Sequence, residues 1–507
     1  MLQTFLVMAQ DNVTVGKPYV VIDADAKYYF AAHGEILTVK TSRKSITLQK
    51  LDAVNLTFLK IKLYDDFPKN FEIERITQIK NRYFVFYSLR DGVEQLFYRE
   101  IDFASCSFKG QGKKLLVVND RIADRYDKFD FYFSYDSSAM VVQYRLSPEH
   151  KNDSKNFDEI GAHVFDQNMQ EKWSGVLTMP YTEKKMNNLD YSVDSKGNVY
   201  IVTQVYNDET TRERKRGEEE ANYHLEVLKA SAPTGAITAS KIDVADKFIK
   251  TIWIYETAKG DLIGAGFYNI GKNKSDADGV VLFKLGTDGK PTDLIAHEIP
   301  VEILNQYASA KSKRRNEKKN DDDRAEFEDL RLQDIAMQED GSTILVGEQR
   351  FIVSRTSYST MNGVTTTRTT TYYYCNDILV TKITPAGKLA WMKKLPKRQT
   401  GGAGWGGMSY TYFRGAHEHY FLFLDNEKNK DLPITEVPAQ HVDGAGGFLT
   451  AYKVNDAAGE VTKLSLLNTR DVKGMEVYQF SPSRIMATAP STIVFEAYKK
   501  KKEDILV

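Results

Sequence analysis

A short pattern of strand, turn and strand recurs along the whole chain, and it constrains the fold more than any single motif. Its clearest copies are Val-Val-Leu-Phe-Lys-Leu at 280–285, followed by a turn at Gly289, and Ile-Leu-Val-Thr-Lys-Ile at 378–383, followed by a turn at Gly387. The last residues, 504–507, begin the same pattern again. Repetition at a period of several tens of residues predicts an array of similar structural units.

Each unit is predicted to contain four strands, which we label A to D in chain order. The best unit places strand A at 332–337, strand B at 343–347, strand C at 377–383 and strand D at 388–392. The pattern gives eight units, with seven as the alternative. Long helical patterns do not alternate with the strands, so a parallel α/β sheet is disfavoured. Four-stranded sheets packed radially, a β-propeller, would bury the apolar strands without long open edges.

The two ends of the chain predict how such a ring would close. The last unit supplies strands A, B and C but no strand D. At the other end, residues 13–22 resemble a strand and precede the first strand A near 28–31. We therefore predict that the N-terminal segment pairs with 504–507 as the outer strand of the last sheet.

Composition limits the classes of function. Lys plus Arg and Asp plus Glu both number 69, so the net charge is zero and nucleic-acid binding is disfavoured. Cys106 and Cys375 have unrelated surroundings and are predicted to be independent thiols. No stretch has the about 18 uninterrupted apolar residues of a transmembrane helix, and we expect a monomer.

The N-terminus is interpreted as the remnant of a secretory signal at 1–10, with the propeller domain over 11–507. The apolar run and the small-residue site around Ala9 favour this interpretation, while the missing basic region leaves an ordinary apolar N-terminus as the alternative. We expect an exported protein in the periplasm, at the outer membrane or outside the cell.

Three segments depart from the repeat, and they are where we expect function. The segment 207–222 alternates basic and acidic blocks, which is typical of an exposed hairpin tip. The segment 302–329 begins with a possible helix and then turns basic and acidic. The segment 351–375 is rich in Ser, Thr, Arg and Tyr around Asn362-Gly363, which predicts a B–C hairpin extended beyond its sheet.

The stretch from Gly402 to Gly407 matches G-x-G-x-x-G, the pattern of dinucleotide-binding loops. That chemistry needs a helix N-terminus after the loop, and here a strand is expected over 408–413, so no cofactor is predicted. Two other interpretations of this loop are open. It displays Trp405 to a ligand, or Trp405 packs on its own sheet. The candidate binding residues are Trp405, Tyr410, Tyr412, Arg414, Tyr372, Tyr373 and Tyr374.

Metal binding is only weakly indicated, and no catalytic residue is predicted. His417 and His419 would share one face of a strand, but zinc needs further ligands. Asp276 and Asp278 precede Gly279 without the other ligands of a calcium loop.

The phrases at 279–289 and 377–391 resemble the repeats of exported bacterial β-propeller proteins, in which a strand with Lys is followed by a Gly turn and a Trp strand. The resemblance implies the fold and an envelope location, and no catalytic residue carries over. The leading hypothesis is a non-enzymatic binding or scaffold propeller of the bacterial envelope that recognises a protein or a glycan through one face. The alternative is a glycan-active enzyme, a glycoside hydrolase or lyase, with carboxylates at the propeller mouth.

Overall fold

The computed structural model of this 507-residue chain is an all-β protein. It describes residues 13–507, except for the following positions: 124–127, 149–154, 215–219, 271–275, 287–290, 293, 321–326, 362–363, 403, 473, 475–476, 480, 490–491 and 500–502. The predicted signal remnant at 1–10 lies outside the described residues.

Eight antiparallel sheets follow one another along the chain, each with its strands in the order A, B, C, D. Sheet 1 contains Ala26–Ala32, Glu35–Thr41, Ile46–Asp52 and Thr57–Tyr64. Sheet 2 contains Glu72–Ile79, Arg82–Asp91, Val93–Asp102 and Lys113–Val118, with the short strand Ser107–Phe108 beside the third. Sheet 3 contains Asp130–Phe133, Ala139–Arg145, Phe157–Asp166 and Glu171–Thr182. Sheet 4 contains Met186–Val193, Val199–Tyr206, Tyr223–Ser231 and Ala236–Ile242.

The second half of the chain continues the same order with longer additions. Sheet 5 contains Phe248–Glu256, Leu262–Asn269, Gly279–Leu285 and Ile295–Glu298. Sheet 6 contains Leu330–Met337, Thr343–Met361, Val364–Ile383 and Leu389–Leu395, extended by Gln399–Gly401 and His441–Val442. Sheet 7 contains Thr411–Arg414, Glu418–Asp425, Phe448–Asn455 and Val461–Asn468. Sheet 8 contains Val477–Gln479, Ile485–Ala489, Thr492–Lys499, Glu503–Leu506 and the N-terminal Tyr19–Val20. Within the described residues, the helices are Val301–Asn305, Ala310–Asn320 and the 3₁₀ turns Glu427–Asn429 and Pro482–Arg484.

The core is divided among eight apolar clusters of described residues, and each cluster is shared by two neighbouring sheets. One of them joins the last sheet to the first, with Met486 and Val494 packed against Ile36 and Leu51. Strands B and C are buried on both faces because a neighbouring sheet covers each side. The sheets therefore form a ring, as the repeat predicts.

The N-terminal segment completes the last sheet, as predicted. Tyr19 pairs with Asp504 in antiparallel register, and the amide of Gly16 donates to the carbonyl of Leu506 at 2.9 Å. The first and last segments of the described chain thus share one sheet. Unfolding either end would remove the outer strand from sheet 8.

Antiparallel order sends alternate connections to opposite sides of the ring. The A–B and C–D connections lie on one side, which we call the turn face. The B–C connections and the links between sheets lie on the other side, which we call the loop face. All three predicted insertions fall on the loop face, together with the Trp405 segment and a further long segment at 426–447 that the sequence analysis missed.

The first strands of the sheets converge at the centre of the ring. The carboxylate of Asp190 in sheet 4 accepts a hydrogen bond from the amide of Ile254 in sheet 5 at 2.8 Å. Glu256 in sheet 5 accepts from the amides of Ser195 and Tyr135 at 2.9 Å each, so it links sheets 3, 4 and 5. The fourth strands are the exposed outer ones, and Thr57–Tyr64 is exposed over most of its length.

None of the helices in the described part of the chain is long and apolar enough to cross a membrane.

Candidate functional site

A long hairpin rises from sheet 6 on the loop face. Its strands stay in register from the pair Arg350 and Cys375 out to the pair Met361 and Val364. This confirms the predicted extended B–C hairpin over 351–375, although its tip at 362–363 lies outside the described residues. We call the part from 354 to 371 the hairpin arm, because no other described strand pairs with it.

Two short strands brace the base of this arm. Gln399–Gly401 pairs antiparallel with residues 373–375, and His441–Val442 pairs in parallel with Gln399–Gly401. The segments after sheet 6 and inside sheet 7 therefore add an extra layer to the loop face. Neither strand could be predicted from the sequence, because each is only two or three residues long.

A buried ion pair lies beneath this layer. Lys397 Nζ is 2.8 Å from Glu348 Oε1, and neither side chain is exposed. Lys397 also donates to the carbonyl of Cys375 at 2.7 Å, while Ser409 Oγ donates to the other oxygen of Glu348 at 2.8 Å. A buried charge is stable only when it is paired and hydrogen-bonded, and these contacts meet that need. Glu348 thereby ties the arm base to the end of the Trp405 segment.

Trp405 packs against the arm base rather than standing alone. It is half-buried, with the guanidinium of Arg350 4.2 Å from its ring centre and the ring of Tyr373 5.1 Å away at 74°. An arginine over an indole face and an edge-on tyrosine are both favourable arrangements. Two predicted site residues, Trp405 and Tyr373, are thus brought together, and Arg350 joins them.

Glycine is required at one point of this loop. Gly406 has φ +50°, and a Cβ there would lie 1.9 Å from Oδ2 of Asp443. The other oxygen of Asp443 accepts from the amide of Gly407 at 3.1 Å. The glycines therefore allow a tight turn around the carboxylate of Asp443. The next element is the strand Thr411–Arg414, which starts later than expected, and no helix follows the loop.

A cavity of about 760 Å³ opens beside Trp405, where the inner strands of sheets 5 and 6 begin on the loop face. We call it the Trp405 cavity. Its cations are Lys250, Arg331 and Arg350, and its carboxylate is Asp329. The remaining lining residues are Thr251, Leu330, Leu332 and Gln333.

Electrostatics in this cavity are governed by the balance between Asp329 and its neighbours. Burial, together with Asp276 and Glu328, raises the pKa of the Asp329 carboxyl. Arg331 and Lys250 act in the opposite direction. Glu348 lies 2.8 Å from Lys397 and 3.6 Å from the Nε of Arg350, so its carboxylate serves both cations. Among the residues that line the cavity itself, three are cations and one is a carboxylate.

The other predicted binding residues lie apart from this cavity. Tyr410 donates to Asp334 at 2.8 Å, and burial raises its pKa well above the ordinary range. Tyr412 lies 2.8 Å from His419 Nδ1, and Arg414 donates to the carbonyl of Met337 at 3.3 Å. All three belong to the junction between sheets 6 and 7.

Tyr372 and Tyr374 share the opposite side of the hairpin from Tyr373. Tyr374 stacks on Phe351 with ring centres 4.6 Å apart, and the guanidinium of Arg355 lies 5.8 Å from the Tyr372 ring. The Tyr372-Tyr373-Tyr374 run thus serves two surfaces because strand side chains alternate. Only Tyr373 contributes to the Trp405 side.

The histidines proposed as weak metal ligands are separated. Their strand begins at Glu418, so His417 lies in the preceding turn, and the expectation that both imidazoles share one strand face is wrong. His419 is buried between Tyr412 and Asp456, whose Oδ1 is 2.8 Å from His419 Nε2. Burial lowers the pKa of His419, which keeps it neutral in this contact.

Asp276 and Asp278, the other weak candidates for metal ligands, both accept hydrogen bonds from backbone amides. Asp276 accepts from the amide of Asp329 at 3.0 Å, and Asp278 accepts from the amide of Ile270 at 2.6 Å. Among the residues that the structure describes, no group of three or more His, Cys, Asp and Glu side chains is arranged to hold a metal ion.

The two cysteines are free and buried, as predicted. Burial raises the pKa of Cys375 to about 11 and also raises that of Cys106. Neither thiol is therefore activated as a nucleophile.

Sequence reasoning missed the cations of the Trp405 cavity. Arg350 lies at the predicted edge of the hairpin but is separated from Trp405 by 54 intervening positions in the chain. Lys250 and Gln333 sit at irregularities where the register shifts between Ile249 and Thr251 and between Leu332 and Asp334. A β-bulge has no reliable signature in one sequence, although bulges are frequent beside binding sites.

No protein-family model and no curated protein matches the chain. Among solved structures, the uncharacterized protein lmo1340 from Listeria monocytogenes EGD-e is 10% identical, over 84% of this chain and 94% of that one, with a TM-score of 0.37. The polysaccharide lyase Uly1 is 9% identical, over 98% and 94% of the two chains, with a TM-score of 0.31. A thermostable family-43 glycoside hydrolase is 12% identical, over 56% and 97%, with a TM-score of 0.25. Similarity at this level transfers no activity to the present chain.

Proposed function

We propose that this protein is a non-enzymatic binding propeller of the bacterial cell envelope that recognises its partner through the loop face. One observation carries the proposal: every long insertion of the chain, the hairpin arm and the Trp405 cavity lie on that face. Most connections on the turn face are short, although the one at 103–112 in sheet 2 includes the strand Ser107–Phe108. Binding residues are typically carried by loops that a rigid scaffold positions.

The hairpin arm is better suited to binding a partner than to stabilising the folded core. Tyr358 on the arm is 73% exposed, and Ile352 just below it is 53% exposed, so the arm contributes little to the core. Cross-strand pairs such as Ser354 with Thr371 and Thr356 with Thr369 lie 3.1 Å apart and stiffen the arm. A stiff, exposed arm loses little conformational entropy when it binds.

A glycan-active enzyme is the second candidate, and one observation favours it. Asp190 and Asp334 lie on inner strands, and burial together with these two carboxylates raises the pKa of Tyr255. Burial raises the pKa of Asp190 to about 6 and also raises that of Asp334, as a general acid would require. Against it, both carboxylates accept hydrogen bonds from the protein, and neither lines the Trp405 cavity.

A trimmed hairpin tests the binding proposal. Residues 355–370 would be replaced by Asn-Gly, which closes the register pair Ser354 and Thr371 with a two-residue turn. Immobilised full-length chain should retain a defined component of an envelope fraction, and the trimmed variant should lose it while unfolding at the same urea concentration. The turn-face variant Lys259→Ala is the control and should retain it. Equal retention by all three proteins would overturn the proposal.

The enzyme candidate predicts a different outcome. New reducing ends or unsaturated products should accumulate from a polysaccharide panel, and they should be lost in Asp190→Asn. Turnover that survives in the trimmed variant but not in Asp190→Asn would replace the binding proposal by the enzymatic one.

A further inference from the structure

The Trp405 cavity is assembled from two sheets that carry the same irregularity. In sheet 5 the strand pairing skips Lys250, and in sheet 6 it skips Gln333. Both skipped residues line the cavity. A bulge leaves one residue out of the ladder and re-aims its side chain, which is why bulges accompany binding sites. Strand A skips Glu74 in sheet 2 and Leu189 in sheet 4 in the same way, so the bulge belongs to the repeat. What distinguishes the cavity is that its two bulges present polar side chains, Lys250 and Gln333, to one space.

The charge of the cavity favours an anion. Lys250, Arg331 and Arg350 face one internal carboxylate, Asp329. The chain as a whole has no net charge, so this excess is local to the cavity. Arg350 is held in place by Gln333, whose Oε1 accepts from it at 2.8 Å, and its Nε is 3.6 Å from Glu348. A guanidinium fixed in this way can still present N–H groups to a carboxylate.

The shape of the cavity favours a sugar over a protein segment. Trp405 forms a partly exposed apolar wall that Arg350 and Tyr373 hold in position. Sugar rings present C–H faces that pack on indoles, while their hydroxyls need polar partners such as Thr251 and Gln333. The volume of about 760 Å³ is in the range of cavities that enclose a small ligand.

We propose that the Trp405 cavity binds an acidic oligosaccharide. Arg331, Arg350 and Lys250 would receive its carboxylates, and Trp405 would pack against a sugar ring. This inference rests on the proposed function of the loop face and names the chemical class of its ligand.

The test is calorimetric titration of the full chain with trigalacturonate and with a hyaluronan tetrasaccharide, each beside its carboxyl-reduced counterpart. We expect the acidic sugars to bind at least about tenfold more tightly than the reduced ones, because each charge-assisted contact contributes on that scale. Trp405→Ala and Arg331→Gln should each weaken binding about tenfold. Arg355→Gln, on the hairpin arm and outside the cavity, should bind as the unaltered chain does.

Three outcomes would overturn the inference: equal binding of acidic and reduced sugars, unchanged binding by both cavity variants, or no binding of any acidic sugar. Inorganic phosphate in competition separates a general anion site from a uronate site, and displacement by millimolar phosphate would also count against it. Retention of an envelope component by the hairpin arm is measured separately. It can therefore succeed while the sugar proposal fails.

Discussion

The ammonium of Lys40 in sheet 1 lies 2.8 Å from the carboxylate of Glu496 in sheet 8, and neither side chain is exposed to solvent. Tyr19 and Tyr29 donate to the two oxygens of the same carboxylate, at 2.8 and 2.5 Å. Asp504 lies 3.6 Å from Lys40, and burial together with Glu496 raises its pKa. Because Tyr19 belongs to the N-terminal strand, this group joins both chain ends to sheet 1.

Loss of the Glu496 charge should weaken the ring at this junction. Glu496→Gln would leave Lys40 buried without its main counter-ion, a change that costs about 3–5 kcal/mol. Urea unfolding followed by far-UV circular dichroism measures the effect. Asp243→Asn, which breaks the exposed pair Lys241 and Asp243, is the control and should unfold like the unaltered chain. If both variants unfold alike, the junction does not hold the ring.

Glycine at 406 should be essential for the Trp405 loop. Gly406→Ala places a methyl group on Asp443 and imposes a positive φ on an alanine, so we expect a loss of about 1–3 kcal/mol and a displaced indole. Near-UV circular dichroism and unfolding report the two effects. Gly402→Ala is the matched control, because a Cβ there meets nothing within 4 Å. A normal Trp signal in Gly406→Ala would contradict the described loop.

His441 should make the protein less stable in mild acid. Burial, with Lys397 nearby, lowers the pKa of His441 to about 4, against about 6.5 in an unfolded chain. Between these values the unfolded state binds more protons, so stability is present above about pH 6.5 and falls as the pH drops towards 4. Asp190, with its pKa raised to about 6, acts in the opposite direction over part of this window.

The contribution of His441 is therefore read as a difference between two proteins. Stability of the unaltered chain and of His441→Asn would be measured at pH 7.5 and pH 4.5. The unaltered chain should lose more stability between these points than the variant does, whatever their absolute values. If both proteins lose the same stability between these pH values, His441 is not buried in its neutral form.

The buried thiols should be inert until the chain unfolds. Burial raises the pKa of Cys375 to about 11, so very little thiolate exists at neutral pH. Ellman's reagent should react with neither cysteine in native protein and with both in denaturant. Fast reaction of the native chain would show that the base of the hairpin opens.

The fold could be predicted well from the sequence because the repeat consists of local patterns within each unit. The strand pairs of sheet 6, the unit count and the pairing of residues 13–22 with 504–507 all follow from strand and turn signals that each unit carries. The predicted His417 and His419 pair failed because the strand starts at Glu418, one residue too late for both to share it. Strand ends are set by turn geometry, which the alternation of residues does not specify.

The site was only partly predictable because its members come from distant parts of the chain. The glycine-flanked Trp405 and the Tyr run pointed to the correct face, and Tyr373 does meet Trp405. The partners that give the cavity its charge, Lys250 and Arg331, come from sheet starts with no motif of their own. Tyr410 and Tyr412 were predicted as binding residues together with Tyr373, yet their hydroxyls form hydrogen bonds inside the ring, with Asp334 and His419.

The central claim is that the loop face, and not the turn face, meets the partner. Photo-crosslinking tests it most directly, with p-benzoylphenylalanine placed singly at Tyr358 or Arg355 on the loop face and at Lys259 or Lys196 on the turn face. In an envelope fraction, the two loop-face positions should give the same discrete adduct, and the two turn-face positions should give none. Adducts that form from the turn face, with none from Tyr358 and Arg355, would contradict the account.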